Sequence, residues 1–190
     1  LTWRIADATP EDCKIVLAGS ITVYGKKLKK LPVTEETSPN PDSDYSRTKY
    51  EAEKIVARKK NHCILRLGVV YGSQFEDYFR VIRMIEKGRM VVFGKGDNQV
   101  SFVHTEDIAA VFPKVLKKEG IYTLSGPSAT QSEIYKYAAG ALGVKPPKTH
   151  LPIWAGMLLG IAWEIGAKLG RKPTLTREHV GILSANRSFD

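Results

Sequence analysis

Tyr45 and Lys49 are the two residues whose types and spacing most directly suggest chemistry. On a helix, residues four apart project from the same face. A phenol beside a cation ionises more readily than an isolated phenol. Such a tyrosine can exchange a proton with a substrate hydroxyl or carbonyl, and the ammonium can donate hydrogen bonds to a ribose. The spacing therefore predicts an acid–base pair on one helix.

The Y-x-x-x-K spacing alone is a weak signal, because it occurs again at Tyr50 and Lys54. An offset of five residues rotates the second pair well round the helix, so the two pairs cannot share one site. The alternative interpretation makes either pair an ordinary helix surface. The neighbouring sequence has to decide between them.

The residues around Tyr45 resemble a known family. Residues 41–53 (PDSDYSRTKYEAE) are similar to the P-x-S-x-Y-x-x-S/T-K-x-x-x-E segment of extended short-chain dehydrogenases/reductases, the NAD-dependent epimerase/dehydratase family. Residues 19–25 (GSITVYG) resemble the S-x-x-V-Y-G strand end of that family, and residues 36–39 (ETSP) its E-x-x-P loop. Two later segments also match, at 65–72 (LRLGVVYG) and 101–109 (SFVHTEDIA). Five segments in family order are far more specific than one motif.

The resemblance implies roles for five residues and a cofactor, NAD or NADP. Tyr45 would be the catalytic acid–base, and Ser20 would hydrogen-bond the reacting oxygen. Lys49 would assist Tyr45 and hold the nicotinamide ribose. The backbone at Leu67 and Gly68 would face the nicotinamide, although Leu67 stands where many relatives have proline. The predicted cofactor-binding residues are therefore Tyr45, Lys49, Leu67 and Gly68.

The histidines predict no metal site. His104 lies within a family-like segment and is expected to order the end of a strand rather than act as a base. The remaining histidines have no metal-ligand spacing (His62, His150 and His179).

The glycine-rich loop that cradles a dinucleotide is missing from the sequence, which contains neither G-x-x-G-x-x-G nor G-x-G-x-x-G. Such a loop lets the backbone approach the cofactor pyrophosphate at a helix N-terminus. In the family it precedes the strand that corresponds to residues 14–18. We therefore expect the nucleotide-binding front half to lie before Leu1, and the present residues alone to bind cofactor weakly or not at all.

The element pattern predicts an α/β fold. Apolar runs at 14–18 and 63–71 flank a helical pattern at 45–60, which makes a βαβ unit with parallel strands. Residues 1–72 are thus a partial, Rossmann-like parallel sheet (its back half) with the Tyr/Lys helix. Residues 73–190 would partly complete the sheet and mostly form a smaller, mostly helical substrate lobe. Its predicted helices cover 75–86, 105–116, 132–142, 153–169 and 177–183, with extended segments at 90–93, 99–104 and 121–124.

Net charge, hydrophobicity and cysteine content limit the classes of binding partner and the location that we expect. The net charge of +9 is dispersed and lacks the aromatic interleaving of a nucleic-acid platform, so no nucleic-acid partner is expected. Residues 151–169 are largely apolar, but Pro152 and Glu164 argue against a transmembrane helix and favour a buried or interfacial one. Cys13 and Cys63 are expected to be buried free thiols, which suits the cytoplasm.

The leading functional hypothesis is an NAD(P)-dependent oxidoreductase or epimerase/dehydratase that acts at a secondary alcohol or ketone carbon. The apolar 151–169 segment favours an apolar substrate if it does not simply belong to the core. A nucleotide-sugar epimerase is an alternative. Such epimerases commonly have an arginine shortly before the segment that resembles 101–109, whereas residues 97–101 of this sequence contain none. A non-catalytic subunit and a membrane-surface protein are further alternatives. A homodimer through the Tyr45 helix is implied by the resemblance.

Overall fold

The computed structural model describes residues 1–26, 28, 33–34, 36–168, 176–186 and 188–189. The chain forms two compact units. Unit 1 comprises Leu1–Gln74, Ser101–Ser128 and Ser188–Asp190, and unit 2 comprises Phe75–Val100 and Ala129–Arg187.

Helices and strands alternate along the chain, as an α/β fold requires. The helices are α1 (Thr2–Ala8), α2 (Asp44–Val56), α3 (Glu76–Glu86), α4 (Thr105–Val115), α5 (Gln131–Ala141), α6 (Ile153–Lys168) and α7 (Arg177–Ser184). The strands are β1 (Ile15–Ser20), β2 (His62–Leu67), β3 (Val69–Tyr71), β4 (Val92–Phe93), β5 (Gln99–His104), β6 (Gly120–Leu124), β7 (Ser128–Thr130) and β8 (His150–Leu151). A 3₁₀ turn, Ile21–Tyr24, follows β1.

A parallel sheet in unit 1 has the strand order β1-β2-β6. Ser20 at the end of β1 lies in register with Leu67 of β2, and Leu67 with Leu124 of β6. The carboxyl ends of the three strands therefore meet at one edge. Helix α2 connects β1 to β2 and packs on the sheet, so the predicted βαβ unit and fold class are confirmed.

The prediction of one continuous strand over residues 63–71 is wrong. Strand β2 ends at Leu67, whereas β3 belongs to a separate sheet with the order β3-β5-β7. Gly68 stands at the break, where its N–H donates to the Leu124 carbonyl at 2.9 Å. A Cβ at this position would lie 2.9 Å from the Ser125 Cβ. An apolar run looks the same whether it stays in one sheet or changes sheets, so hydrophobic periodicity could not locate this break.

Helix boundaries differ from the prediction mainly around α2. This helix ends at Val56, four residues before the predicted Lys60. Lys59 instead reaches away from the helix, and its Nζ donates to Glu11 Oε1 at 2.6 Å and to the Thr9 carbonyl at 3.1 Å. Helix α1 was not predicted. Its apolar residues Trp3 and Ile5 are exposed, and only Ala6 is buried, so the segment shows no clear amphipathic pattern.

The buried apolar side chains of unit 1 form two clusters. One cluster combines Cys63, Leu65 and Val115. A second surrounds the 3₁₀ turn and contains Ile21, Val23, Tyr24, Val33 and Phe189. Cys63 is buried as expected, but the expectation for the other cysteine is wrong, because Cys13 is exposed in the turn before β1.

Unit 2 contains α3 and α5, which pack around Ile85, Met90, Val92, Tyr135 and Ala139. Its short strands β4 and β8 pair in parallel, and α6 lies against α7. Within the described ranges, no helix is long and apolar enough to cross a membrane. The same ranges hold no group of three or more His, Cys, Asp or Glu side chains placed to bind a metal ion.

Candidate active site at the carboxyl ends of the parallel strands

Tyr45 lies in the first turn of α2 because the sequence just before it starts the helix. Ser43 caps the helix by accepting a hydrogen bond from the Ser46 N–H at 3.1 Å, and Ser46 Oγ accepts one from the Ser43 N–H at 2.9 Å. This reciprocal arrangement is a capping box. The Tyr45 side chain is 56% exposed, so its hydroxyl can reach a bound molecule.

Lys49 lies one turn after Tyr45 and connects it to the sheet. Its Nζ is 5.8 Å from the centroid of the Tyr45 ring. The same Nζ donates a hydrogen bond to the Ala18 carbonyl of β1 at 3.3 Å. An ammonium group has three N–H donors, so two remain for other acceptors at this position. The structure thus places the predicted pair beside β1, two residues before the predicted Ser20.

The second Y-x-x-x-K pair is engaged elsewhere. Tyr50 is partly buried and packs on the cluster around the 3₁₀ turn. Lys54 forms an ion pair with Glu51 one turn earlier on the helix, and its Nζ lies 5.1 Å from the centroid of the Tyr50 ring. The fold therefore distinguishes the two pairs by packing, which the motif alone could not do.

Ser20 ends β1 and caps the 3₁₀ turn. Its Oγ accepts hydrogen bonds from the Thr22 N–H at 3.3 Å and from Thr22 Oγ1 at 2.9 Å. Both contacts use the lone pairs of the serine oxygen, which leaves its own proton available to donate. Thr22 is thus a partner of Ser20 that the sequence did not single out.

Leu67 and Gly68 lie beside Ser20 at the same edge. Leu67 is the register partner of Ser20 on the neighbouring strand. The Gly68 N–H is already occupied by the Leu124 carbonyl. The Gly68 N–H is therefore not free to donate to a molecule at this edge, and the Leu67 side chain packs against Cys63, Leu65 and Val115.

A buried ionic network supports the helix that carries Tyr45 and Lys49. Arg66 of β2 donates to Glu53 of α2 through Nη2 at 2.8 Å and through Nε at 3.0 Å, both to Oε2. Its Nη1 donates to the Tyr24 hydroxyl at 2.9 Å. Burial by itself lowers the pKa of Arg66, but the hydrogen bonds to Glu53 and Tyr24 outweigh it and the pKa is raised. Arg66 is thus held in its charged form.

The amino-acid pattern of this edge agrees with a family model. Residues 1–124 match the model of the NAD dependent epimerase/dehydratase family. The chain belongs to this family.

The chain is similar to proteins that are named as epimerases. The N-acetyl-alpha-D-glucosaminyl-diphospho-ditrans,octacis-undecaprenol 4-epimerase of Escherichia coli O157:H7 is 25% identical over 190 residues, which cover 93% of this chain and 57% of the relative. The crystal structure of UDP-glucuronic acid 4-epimerase from Bacillus cereus in complex with NAD has a TM-score of 0.67 at 24% identity. That match covers 80% of this chain and 54% of the other.

A second similar structure is UDP-N-acetylglucosamine 4-epimerase from Methanobrevibacter ruminantium M1 in complex with UDP-N-acetylmuramic acid. It has a TM-score of 0.65 at 21% identity and covers 73% of this chain and 50% of that one. The likeness to these solved structures is one of fold. The chain spans little more than half the length of the relatives it matches.

Three residues of the family-like segments build the buried network, although the sequence assigned them no role. Tyr24 belongs to the V-Y-G segment, Glu53 ends the Y-x-x-x-K-x-x-x-E segment, and Arg66 belongs to the L-R segment. An arginine inside the apolar run CILRL was the available signal, because a buried arginine requires an acidic or polar partner.

Two glycines of the S-x-x-V-Y-G region allow close approaches. A Cβ at Gly19 would lie 2.8 Å from Glu53 Oε1 and 3.1 Å from the Leu65 carbonyl oxygen. Gly25 has a φ of +78° and leaves no room for a side chain beside the Asn40 carbonyl. Gly19 thereby lets α2 approach the sheet closely enough for the ion pair to form.

His104 has a structural position, in agreement with the expectation. It ends β5 and is the N-cap of α4, where its Nδ1 accepts a hydrogen bond from the Glu106 N–H at 3.3 Å. Its ring lies 4.9 Å from the Tyr71 ring, centroid to centroid.

Proposed function

We propose that this chain carries the proton-transfer site of an NAD-dependent sugar epimerase. The observation that carries the proposal is the Lys49 hydrogen bond to Ala18 of β1. It brings the exposed Tyr45 and its lysine neighbour to the edge where Ser20 and Leu67 lie in register. In open α/β sheets, ligands bind outside the carboxyl ends of the strands.

The residues at this edge fit the nicotinamide-ribose end of a dinucleotide. Lys49 offers N–H donors beyond the one that Ala18 accepts, and these suit ribose hydroxyls. The backbone at Leu67 lies in register with Ser20, which suits a position beside the nicotinamide ring, while the Leu67 side chain packs on the Cys63, Leu65 and Val115 cluster. The pyrophosphate has no such partner in this sequence, because the glycine-rich loop is not among its residues. The choice of NAD rests on the family and on the relative crystallised with it.

Each residue contributes a separate function to the reaction. Bound NAD supplies a hydride acceptor for the carbon that carries the reacting hydroxyl, and a donor for its return. Tyr45 Oη takes the hydroxyl proton as the carbon is oxidised and gives it back when the ketone is reduced. Ser20 donates its free O–H to the same oxygen and stabilises the charge that develops there. Lys49 holds the ribose and keeps a positive charge beside the Tyr45 ring.

The proposed substrate is a sugar carried on a diphosphate. Its carrier is a nucleoside, as for the UDP-sugar epimerases of similar structure, or a polyprenol, as for the E. coli relative. The apolar substrate predicted from residues 151–169 is compatible with the polyprenol carrier. We propose that residues 1–72 provide the cofactor side of the site and residues 73–190 mostly the substrate side.

Turnover by the full-length protein tests this proposal. Purified protein with NAD is offered N-acetylglucosaminyl-diphospho-undecaprenol and, separately, UDP-N-acetylglucosamine, and the 4-epimer is quantified by chromatography. We expect epimerisation of at least one substrate, and we expect Tyr45→Phe to be inactive but still able to bind NAD. Calorimetric binding of NAD without turnover of either substrate would favour the non-catalytic alternative.

We also propose a homodimer and a cytoplasmic location. The dimer is supported by the exposed apolar residues Leu1, Trp3 and Ile5 of the segment that packs beside α2. The location is supported by two free thiols. Light scattering of the purified protein tests the dimer, and Trp3→Glu should then shift it toward monomer.

A further inference from the structure

Helix α6 exposes a stripe of large apolar side chains. Trp154, Leu158, Ile161 and Ile165 follow one another at intervals of four, three and four residues, so they share one side of the helix. Their exposed fractions are 68%, 58%, 38% and 57%. Soluble domains expose single apolar side chains commonly, but a contiguous apolar stripe of this kind marks an interaction site.

The packed side of α6 is formed by its small residues. A Cβ at Gly156 would lie 2.7 Å from the Phe93 ring, and a Cβ at Gly160 would lie 2.7 Å from the Arg177 backbone N. These glycines let the helix lie close against β4 and the start of α7. The small residues face the protein and the large ones face outward, which is the reverse of a core helix. Of the two alternatives left open by the sequence, a helix that simply belongs to the core does not describe the stripe, whose side chains are exposed.

The segment of the sequence that carries the stripe is basic in composition. Glu164 is paired, because Arg177 donates to it from its backbone N–H and Nε at 2.9 Å and from Nη2 at 2.8 Å. The helix thus presents no unpaired carboxylate. Residues 145–177 contain one acidic residue and six basic ones: Lys145, Lys148, Lys168, Arg171, Lys172 and Arg177. An apolar helix face in a segment with an excess of basic residues favours binding to anionic lipids.

We infer that α6 is a docking helix for an anionic lipid bilayer, with Trp154, Leu158, Ile161 and Ile165 inserted at the interface. The helix lies in the plane of the membrane surface, since its opposite side is held by α7 and Phe93. Tryptophan suits this depth because its ring is apolar and its N–H is polar. This inference rests on the proposed function and deepens it, because a sugar on a polyprenol diphosphate lies at the surface of a membrane.

Vesicle flotation of the full-length protein tests this inference without measuring turnover. One set of vesicles contains phosphatidylglycerol and phosphatidylcholine, and the other contains phosphatidylcholine alone. The protein should float with the anionic vesicles, and raising the salt concentration should reduce the bound fraction because surface charges are screened. Equal binding to both vesicle types, or none to either, overturns the inference.

Two matched substitutions locate the contact. Leu158→Gln should lower the vesicle partition coefficient about tenfold or more, since it replaces an inserted leucine by a polar side chain. Leu116→Gln is the control, because Leu116 is a leucine with nearly the same exposed fraction (57%) in unit 1. Ile165→Gln repeats the test on the stripe if Leu158→Gln folds poorly by circular dichroism.

The experiments also distinguish a membrane from a second copy of the chain as the partner that covers the stripe. If Leu158→Gln and Leu116→Gln float equally well, the stripe is not the membrane contact. If Leu158→Gln converts a stable dimer to monomer in light scattering while flotation is unchanged, a second copy covers the stripe. Either result overturns the inference. A failure of flotation with intact epimerase activity would leave the proposed function standing.

Discussion

Arg66 and Glu53 form an ion pair across the interface between β2 and α2, with exposed side-chain fractions of only 4% and 3%. Glu53 is one turn after Lys49 on the same helix. The pair therefore fixes the rotation and height of α2 relative to the strands, and with them the position at which Lys49 meets Ala18. A buried pair is costly to break on one side, because the remaining charge is left without a partner.

Removal of Glu53 should destabilise the fold strongly. Glu53→Ala leaves the Arg66 guanidinium buried and unpaired, and we expect a loss of about 3–5 kcal/mol in the free energy of unfolding. Urea denaturation of the full-length protein measures it as a lower midpoint. Glu51→Ala on the same helix is the control, because the Glu51–Lys54 pair is exposed and should contribute at most about 1 kcal/mol.

The double variant Glu53→Met with Arg66→Met should be more stable than either single variant. It removes both charges and replaces them with apolar side chains, so no charge remains unpaired. Additive losses in the urea midpoints would mean that the two side chains do not act as a pair.

Gly19→Ala should destabilise the protein through the same network. Its Cβ would lie 2.8 Å from Glu53 Oε1 and 3.3 Å from Ile64 Cγ2, so the carboxylate must move away from Arg66. Overpacking of this kind costs about 1–3 kcal/mol. Gly140→Ala is a suitable control, because a Cβ there meets no atom within 4 Å and alanine favours a helix. It should leave the thermal midpoint unchanged or raise it.

The two thiols should react differently with a thiol reagent. Cys13 is exposed, whereas Cys63 is buried in β2 and burial raises the pKa of its thiol. Only the thiolate reacts readily, so Cys63 should stay unlabelled at neutral pH until the protein is unfolded. Absorbance titration should therefore count one reactive thiol in the native chain and two in denaturant. Fast labelling of Cys63 in the native Cys13→Ser variant would show that the β1-β2-β6 sheet opens readily.

Ser20→Ala should lower turnover more than stability. The hydroxyl that it removes is the proposed donor to the reacting oxygen, and loss of one such donor costs about 10²–10³ in kcat. The structural loss is confined to the cap of a short 3₁₀ turn. Comparison of kcat with the thermal midpoint separates the two effects, and a fall in stability alone would remove Ser20 from the proposed site.

The sequence was sufficient to predict most of the helices and the parallel βαβ unit, because apolar runs and the α2 cap are local signals. It could not predict the break at Gly68, since that position is set by contacts with Ser125 and Leu124 from distant parts of the chain. It also could not predict that the large residues of α6 point outward. The helix is apolar on nearly every side, so its sequence gives no preferred buried face.

The candidate site is proposed from a set of motifs, whereas the residues that support it could not be predicted from them. Ser20, Tyr45 and Lys49 follow from family-like segments, whereas the partner of Arg66 depends on how α2 crosses β2. The Tyr45 pair was chosen over the Tyr50 pair from the family-like residues around Tyr45. The fold adds the difference in packing, since Tyr45 is exposed and Tyr50 packs against the core.

The central claim is that Tyr45 transfers the proton, and paired substitutions test it most directly. Epimerisation by full-length Tyr45→Phe, Tyr50→Phe and wild-type protein is measured with NAD at saturating concentration. We expect Tyr45→Phe to lose about 10²–10⁴ in kcat with unchanged NAD affinity, and Tyr50→Phe to keep most of its activity. A fully active Tyr45→Phe, or an equal loss in both variants, would contradict the account.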